Sequence, residues 1–276
     1  MRHWIKRNEL LSYFVLAFAV SWAIWIPSVQ EMRRRGFVDL RSWAPLCALV
    51  AVYGPTFSAL VITALGDGRA GLRELLGRLV RWRVPARWYL VVIVGAPLLR
   101  ALALWVDALV KGITPEVTGT DWWFVLGLLP ATLVAGPAAE ELGWRGFALP
   151  RLQARWNALV SGVVLGVVWA AWHLPPFLWH VKGYSPGEPF SQFLLWVVSF
   201  SILFTWVFNH TRGSVWMAIL LHLAVNHTSR FAPELVSTAH EARLTVTLVT
   251  ATAAVLVVLV FGAEYLNRRG KRFALT

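Results

Sequence analysis

The chain has 276 residues, of which 58% are hydrophobic and 14% charged, with a mean hydropathy of +0.60. Soluble domains carry about 25% charged residues, so this balance excludes an ordinary soluble protein and points to an all-α, polytopic membrane bundle. The net charge of +12 is spread along the chain ends and between apolar stretches, a pattern that suits anionic lipid and argues against nucleic acid as the partner.

An α-helical span needs about 20 mainly apolar residues. Eight stretches meet that expectation: 10–29, 43–65, 87–110, 122–149, 157–179, 190–209, 213–230 and 244–265. The fourth is long, and the seventh is short with a polar end. None shows the ten-residue alternation of a membrane β-barrel. Ala17-Phe18-Ala19 has the spacing of a signal cleavage site, but the apolar run continues through Trp22 and Trp25 to Pro27, so the first stretch reads as an uncleaved span.

With eight spans, seventeen of the 26 Lys and Arg fall on the side shared by the two termini and eight on the other, with Arg100 inside the third span. The positive-inside rule then places both termini in the cytoplasm of a cell-membrane protein, although the four arginines in the loop after the first span run against it. Residues 69–83 set Leu72, Leu75, Leu76 and Leu79 on one helical face, with Arg73, Arg78 and Arg81 mostly away from it. That pattern predicts a short interfacial amphipathic helix on anionic headgroups. Trp4, Trp43, Trp88, Trp122, Trp123 and Trp179 lie near span ends, where indoles anchor helices. Cys47 is the only cysteine, so neither an internal disulfide nor a thiolate cluster is available. No repeat or linker divides the chain, which reads as a single transmembrane domain, 1–276. The small residues from Ala131 to Ala139 suit packing within the bundle or between chains equally.

The informative exceptions are ionisable groups inside apolar stretches, each costing about 2.5–3.5 kcal/mol to insert. Glu141 and Arg145 are four apart in the fourth stretch and share a helical face, whereas Glu140 is rotated about 100° away and left available. Gly136-Pro137 interrupts the helix just before them, and a restart at Pro137 would put Glu140 near an N-terminus whose dipole favours negative charge. In the fifth stretch Pro175-Pro176 follows His173, predicting a bend near Leu174 and freed carbonyls around the imidazole. His222 and Asn226 are four apart in the seventh and share a face. Arg100 and Asp107 are expected to pair locally or snorkel, and His180, His210 and His227 to lie outside the set.

These groups compose a parts list for hydrolysis: a carboxylate to activate water, a histidine to orient it, and a His–Asn pair to hold an oxyanion. Other intramembrane protease chemistries lack their parts. His240-Glu241 is followed by Leu244 where a zinc-binding His-Glu-x-x-His needs histidine. Of the four Asp, only Asp107 lies within a predicted span, and no Gly-x-Ser-x-Gly elbow is present. Each group also has a purely structural reading: a buried salt bridge for Glu141–Arg145, a carbonyl partner for His173, interhelical hydrogen bonding for His222 and Asn226.

The set resembles a known family. EELGWR matches the Glu-Glu-x-x-x-Arg motif of the CAAX prenyl endopeptidases and bacteriocin-processing or immunity membrane proteins, the CPBP or Abi family. WAAWH resembles its Phe-x-x-x-His motif, with Trp169 in place of Phe, and HLAVN its His-x-x-x-Asn/Asp motif. The three occur in the family's order within a core from about 120 to 230. The resemblance implies an intramembrane endopeptidase acting on a membrane-associated peptide or lipidated protein. Glu140 would be the catalytic carboxylate, Glu141 and Arg145 its supporting pair, His173 a second water-positioning group, and His222 with Asn226 the oxyanion or ligand pair. Trp169 is expected to pack. Glu140, His173 and His222 would supply an open zinc site, but Asn226 is a poor zinc ligand and Arg145 adds positive charge nearby, which favours a glutamic, cofactor-free mechanism. The non-enzymatic alternative is an immunity or scaffold protein that keeps these residues for folding. A proton-coupled transporter is disfavoured by the lack of inverted-repeat symmetry.

Overall fold

The computed structural model describes residues 2–35, 42–114, 121–178, 188–235 and 242–266, and their only regular structure is helix, with no strand among them. Trp179, His180 and the basic residues beyond 266 lie outside the described residues, as does the side chain of Trp122. The chain runs through α1 (Arg2–Arg7), α2 (Glu9–Arg35), α3 (Ala44–Val52), α4 (Gly54–Gly66), α5 (Gly68–Gly77) and α6 (Ala86–Lys111). It continues with α7 (Trp122–Gly127), α8 (Leu129–Val134), α9 (Pro137–Glu141), a π-helix (Leu142–Ala148) and α10 (Leu149–Gln153). The last elements are α11 (Ala158–Trp172), α12 (Leu174–Leu178), α13 (Phe190–His210), α14 (Val215–Leu235) and α15 (Arg243–Phe261).

Each of the eight apolar stretches is largely helical, but fewer than eight meet the requirements of a span. Five helices are long and apolar enough to cross a membrane: Glu9–Arg35, Ala86–Lys111, Trp123–Gln153, Phe190–His210 and Arg243–Phe261. The pair α3 and α4, bent by 46°, brings the number to six if it is one span. α11 has only 15 residues, because Pro175 and Pro176 withhold the N–H groups that its last turn would need. α14 is long, but His222, Asn226, His227 and Arg230 lower its hydropathy.

One end of the bundle gathers the two ends of the described chain. Lys6 pairs with Asp67 at 3.2 Å, and Arg151 bridges Glu9 at 2.8 Å and Asp67 at 3.4 Å. At the same end, the N–H of Ala158 donates to the carbonyl of Glu264, and Arg81 donates to the carbonyl of Arg212. The basic segments around 6, 69–87, 151–155 and 212 thus share a side.

The expected interfacial helix over 69–83 is shorter than its leucine pattern suggests, ending at Gly77. Leu75 is buried but Leu76 is exposed, and Arg78 turns inward to 2% exposure. Its partner lies in the π-helix, the carbonyl of Gly146, to which Pro150 four residues on could supply no α-helical N–H. Arg78 donates to that carbonyl at 2.6 Å and pairs with Glu74 at 2.6 Å. Burial pushes the Arg78 guanidinium below its ordinary pKa, and the Glu74 carboxylate opposes that shift.

Packing of α11 on α13 fixes the depth of Trp169. A β-carbon on Gly166 would lie 2.7 Å from the α-carbon of Val198, so only glycine permits this approach. Trp88 departs from its anchoring expectation. It is buried, with its ring 4.9 Å from Trp206 and 4.8 Å from His210. Trp4, Trp43 and Trp123 are exposed, as anchors require. Asp107 pairs with Lys111 at 2.9 Å and accepts from Thr245 at 2.6 Å, a local arrangement.

Candidate active site

Gly136 divides the fourth stretch. α8 stops at Val134, and α9 restarts with Pro137 in its first turn, where a missing N–H costs nothing. The Gly136 carbonyl accepts from the N–H groups of Ala139 and Glu140, both at 2.9 Å. The restart leaves Glu140 at the end of this turn, and the following π-helix carries Trp144 and Arg145. All of these side chains, and His222, are buried.

The two adjacent glutamates take different partners, as their 100° separation predicts. Arg145 Nη1 donates to both oxygens of Glu141, at 2.8 and 3.1 Å. Glu141 Oε1 also meets His222 Nδ1 at 2.7 Å. A carboxylate beside an arginine accepts, so Nδ1–H is the donor and Nε2 faces away from Glu141. Glu140 Oε2 instead accepts from two indoles, Trp169 Nε1 at 2.7 Å and Trp144 Nε1 at 3.2 Å.

The remaining polar atoms converge above Gly136. A β-carbon there would lie 3.1 Å from Asn226 Nδ2, 3.4 Å from Glu140 Oε1 and 3.9 Å from His222 Nε2. Three residues from two distant helical segments thus border one methyl-sized space. At 1.5 Å per residue along α14, His222 and Asn226 lie about 10 to 17 Å from the end where the chain termini gather.

His173 joins the set through Trp169. Its Nδ1 lies 2.8 Å from the Trp169 carbonyl, which can only accept, so this nitrogen carries the proton. The ring packs 4.8 Å from Trp172, 5.8 Å from Phe193 and 6.0 Å from Trp169. The prolines act as the sequence suggests: Pro176 leaves the Trp172 carbonyl without its helical donor, and Trp22 Nε1 supplies one at 2.9 Å. The chain then resumes as α12. His227 stays apart, 3.4 Å from Thr132 Oγ1 and tilted against Phe231, and His210 packs tilted against Trp88.

Trp169, expected only to pack, does more. Its ring supports the Arg145 guanidinium at 4.3 Å while Phe204 covers it at 4.0 Å. Its edge meanwhile donates to Glu140. Trp144 was not singled out by any polar pattern, and its spacing of four from Glu140 is the signal that could have found it.

Glu140, His173 and His222 are not gathered as a ligand set in this structure. Among the described residues, no three His, Cys, Asp or Glu side chains form a group that could hold a metal ion. His222 Nδ1 is engaged by Glu141 and His173 Nδ1 by a carbonyl, which leaves Nε2 of each ring as the nitrogen directed elsewhere.

Residues 121–228, which contain every one of these site residues except Trp22, match the family model described as type II CAAX prenyl endopeptidase Rce1-like. Over that segment the chain is similar to the CAAX-protease-like membrane proteins. A curated relative from Methanococcus maripaludis, CAAX prenyl protease 2, is 25% identical over 236 residues, covering 80% of this chain and 83% of its own length. Within the CAAX-protease-like segment lie both the motif residues and the two indoles that bind Glu140.

Proposed function

We propose that the chain is an intramembrane endopeptidase that hydrolyses a peptide bond of a lipidated, membrane-associated substrate. The convergence of Glu140 Oε1, His222 Nε2 and Asn226 Nδ2 above Gly136 carries this reading. A water in that space gives its proton to Glu140 Oε1 as its oxygen attacks the scissile carbonyl carbon. The carbonyl oxygen becomes an oxyanion, with Asn226 Nδ2–H and protonated His222 Nε2–H as its donors and Glu141 balancing the imidazolium. The C–N bond then breaks, and the proton held by Glu140 passes to the leaving amine. His173, its Nδ1–H fixed on Trp169, offers Nε2 as an acceptor that orients the water. Arg145 holds Glu141 in place through both of its oxygens, and the mechanism draws on no metal.

The substrate class follows the family and the relative's name, CAAX prenyl protease 2. The basic end of the bundle faces the cytoplasm, so both ends of the chain are cytoplasmic and the site lies within reach of a C-terminal peptide held by its lipid at that surface. The residues from about 120 to 230 form the catalytic core of one membrane domain.

The test is cleavage by the full chain in liposomes, using a prenylated C-terminal peptide in ¹⁸O-labelled water. The reading predicts release of the terminal residues and one labelled oxygen in the new carboxylate. Intact prenylated peptide after prolonged incubation would contradict it and favour an immunity or scaffold role.

A further inference from the structure

Trp144 and Trp169 come from different segments, yet both donate to the same oxygen of Glu140, at 3.2 and 2.7 Å. The other oxygen, Oε1, is the one that borders the space above Gly136. A carboxylate with one oxygen held twice cannot rotate to exchange the two. Both donors are neutral, so they fix the group without pairing it to a cation.

The same indole of Trp169 also holds the nearest cation away. Arg145 Cζ lies over its ring at 4.3 Å and over the roughly perpendicular ring of Phe204 at 4.0 Å, while its Nη1 binds both oxygens of Glu141. Trp169 thus serves both glutamates: its edge binds Glu140, and its face keeps Arg145 directed at Glu141.

We infer that Trp144 and Trp169 are positioning residues that reserve Oε1 of Glu140 for the reaction and keep Arg145 from neutralising the base. The inference rests on Glu140 being that base. Phe at position 169, the residue in the family's motif, retains a face for Arg145 but has no N–H to give.

The experiment compares Trp144→Phe and Trp169→Phe with the parent in liposomes, using the prenylated peptide, with the exposed Trp123→Phe as control. A hydrogen bond to a charged group contributes about 1.5–3 kcal/mol, so each variant is expected to lose about 10- to 100-fold in kcat, with KM within twofold. The control should match the parent. A second reading is independent of activity. In ¹⁵N-indole spectra, the two N–H signals assigned by their absence in the Phe variants are expected downfield, and both should move upfield in Glu140→Ala. Unchanged kcat in both Phe variants, a loss confined to KM, or indole signals indifferent to Glu140→Ala would overturn the inference. If Glu140→Gln abolishes cleavage while both Phe variants cleave normally, the protease reading stands and the indole clamp falls. If the parent cleaves nothing, the reading of Glu140 falls, and with it the clamp's purpose.

Discussion

Glu141 reaches from the end of α9 to α14 and holds His222 by Nδ1 at 2.7 Å, while Arg145 binds the same carboxylate at 2.8 Å. One buried carboxylate therefore joins the π-helix to the helix carrying the His–Asn pair. It determines which imidazole nitrogen faces Gly136. Removing one partner of a buried ion pair costs about 3–5 kcal/mol, because the other charge stays buried without compensation.

Glu141→Gln should therefore lower the unfolding midpoint in detergent markedly, and Arg145→Met should do the same. The double variant Glu141→Leu with Arg145→Met is expected to recover much of that loss, since no orphan charge remains. Its activity should stay low, because His222 has lost the group that fixes its Nδ1. Denaturation followed by tryptophan fluorescence checks the stability, and the liposome assay checks the rate.

Gly136→Ala tests the reacting space directly. The added methyl would sit 3.1 Å from Asn226 Nδ2 and 3.4 Å from Glu140 Oε1, filling the position of the attacking water without striking backbone. A loss of at least about 10²-fold in kcat is expected, in line with removal of a positioned reactant, with little change in unfolding midpoint. Gly127→Ala, whose β-carbon would meet nothing within 4 Å, should leave kcat unchanged.

Much of this site was legible because charge is costly in lipid. Glu140, Glu141, Arg145, His222 and Asn226 stand out in apolar stretches, and spacing of four correctly joined Glu141 to Arg145. The break at Gly136-Pro137 was equally readable, since proline removes a donor wherever it falls. The indole donors were not, because seventeen tryptophans in a membrane chain look like anchors until tertiary packing shows where each N–H points. Arg78 was misread for a similar reason: its partner is the Gly146 carbonyl, 68 positions away. Of the eight stretches read as spans, five or six meet a span's requirements by length and composition, because proline ends α11 early and polar side chains lower the hydropathy of α14.

Orientation is open to labelling. In a Cys47→Ala background, a cysteine at exposed Arg155 should react with a membrane-impermeant maleimide only after the cytoplasmic face is opened. A cysteine at Thr114, on the opposite end, should react in intact cells. The reverse pattern would invert the proposed topology.

Metal independence has its own check. Because Asn226 is a poor zinc ligand and the Arg145 guanidinium adds positive charge beside the site, activity is expected to survive strong chelation, and added zinc should not raise it. Loss on chelation with recovery on zinc would overturn that part of the mechanism.

The most direct measurement is the rate of prenylated-peptide cleavage by Glu140→Gln, alongside its unfolding midpoint and peptide binding. The amide keeps the shape and one oxygen for the two indoles but cannot accept the water's proton. The account predicts a fall of at least about 10²-fold in kcat with folding and binding retained; cleavage at the parent rate would contradict it.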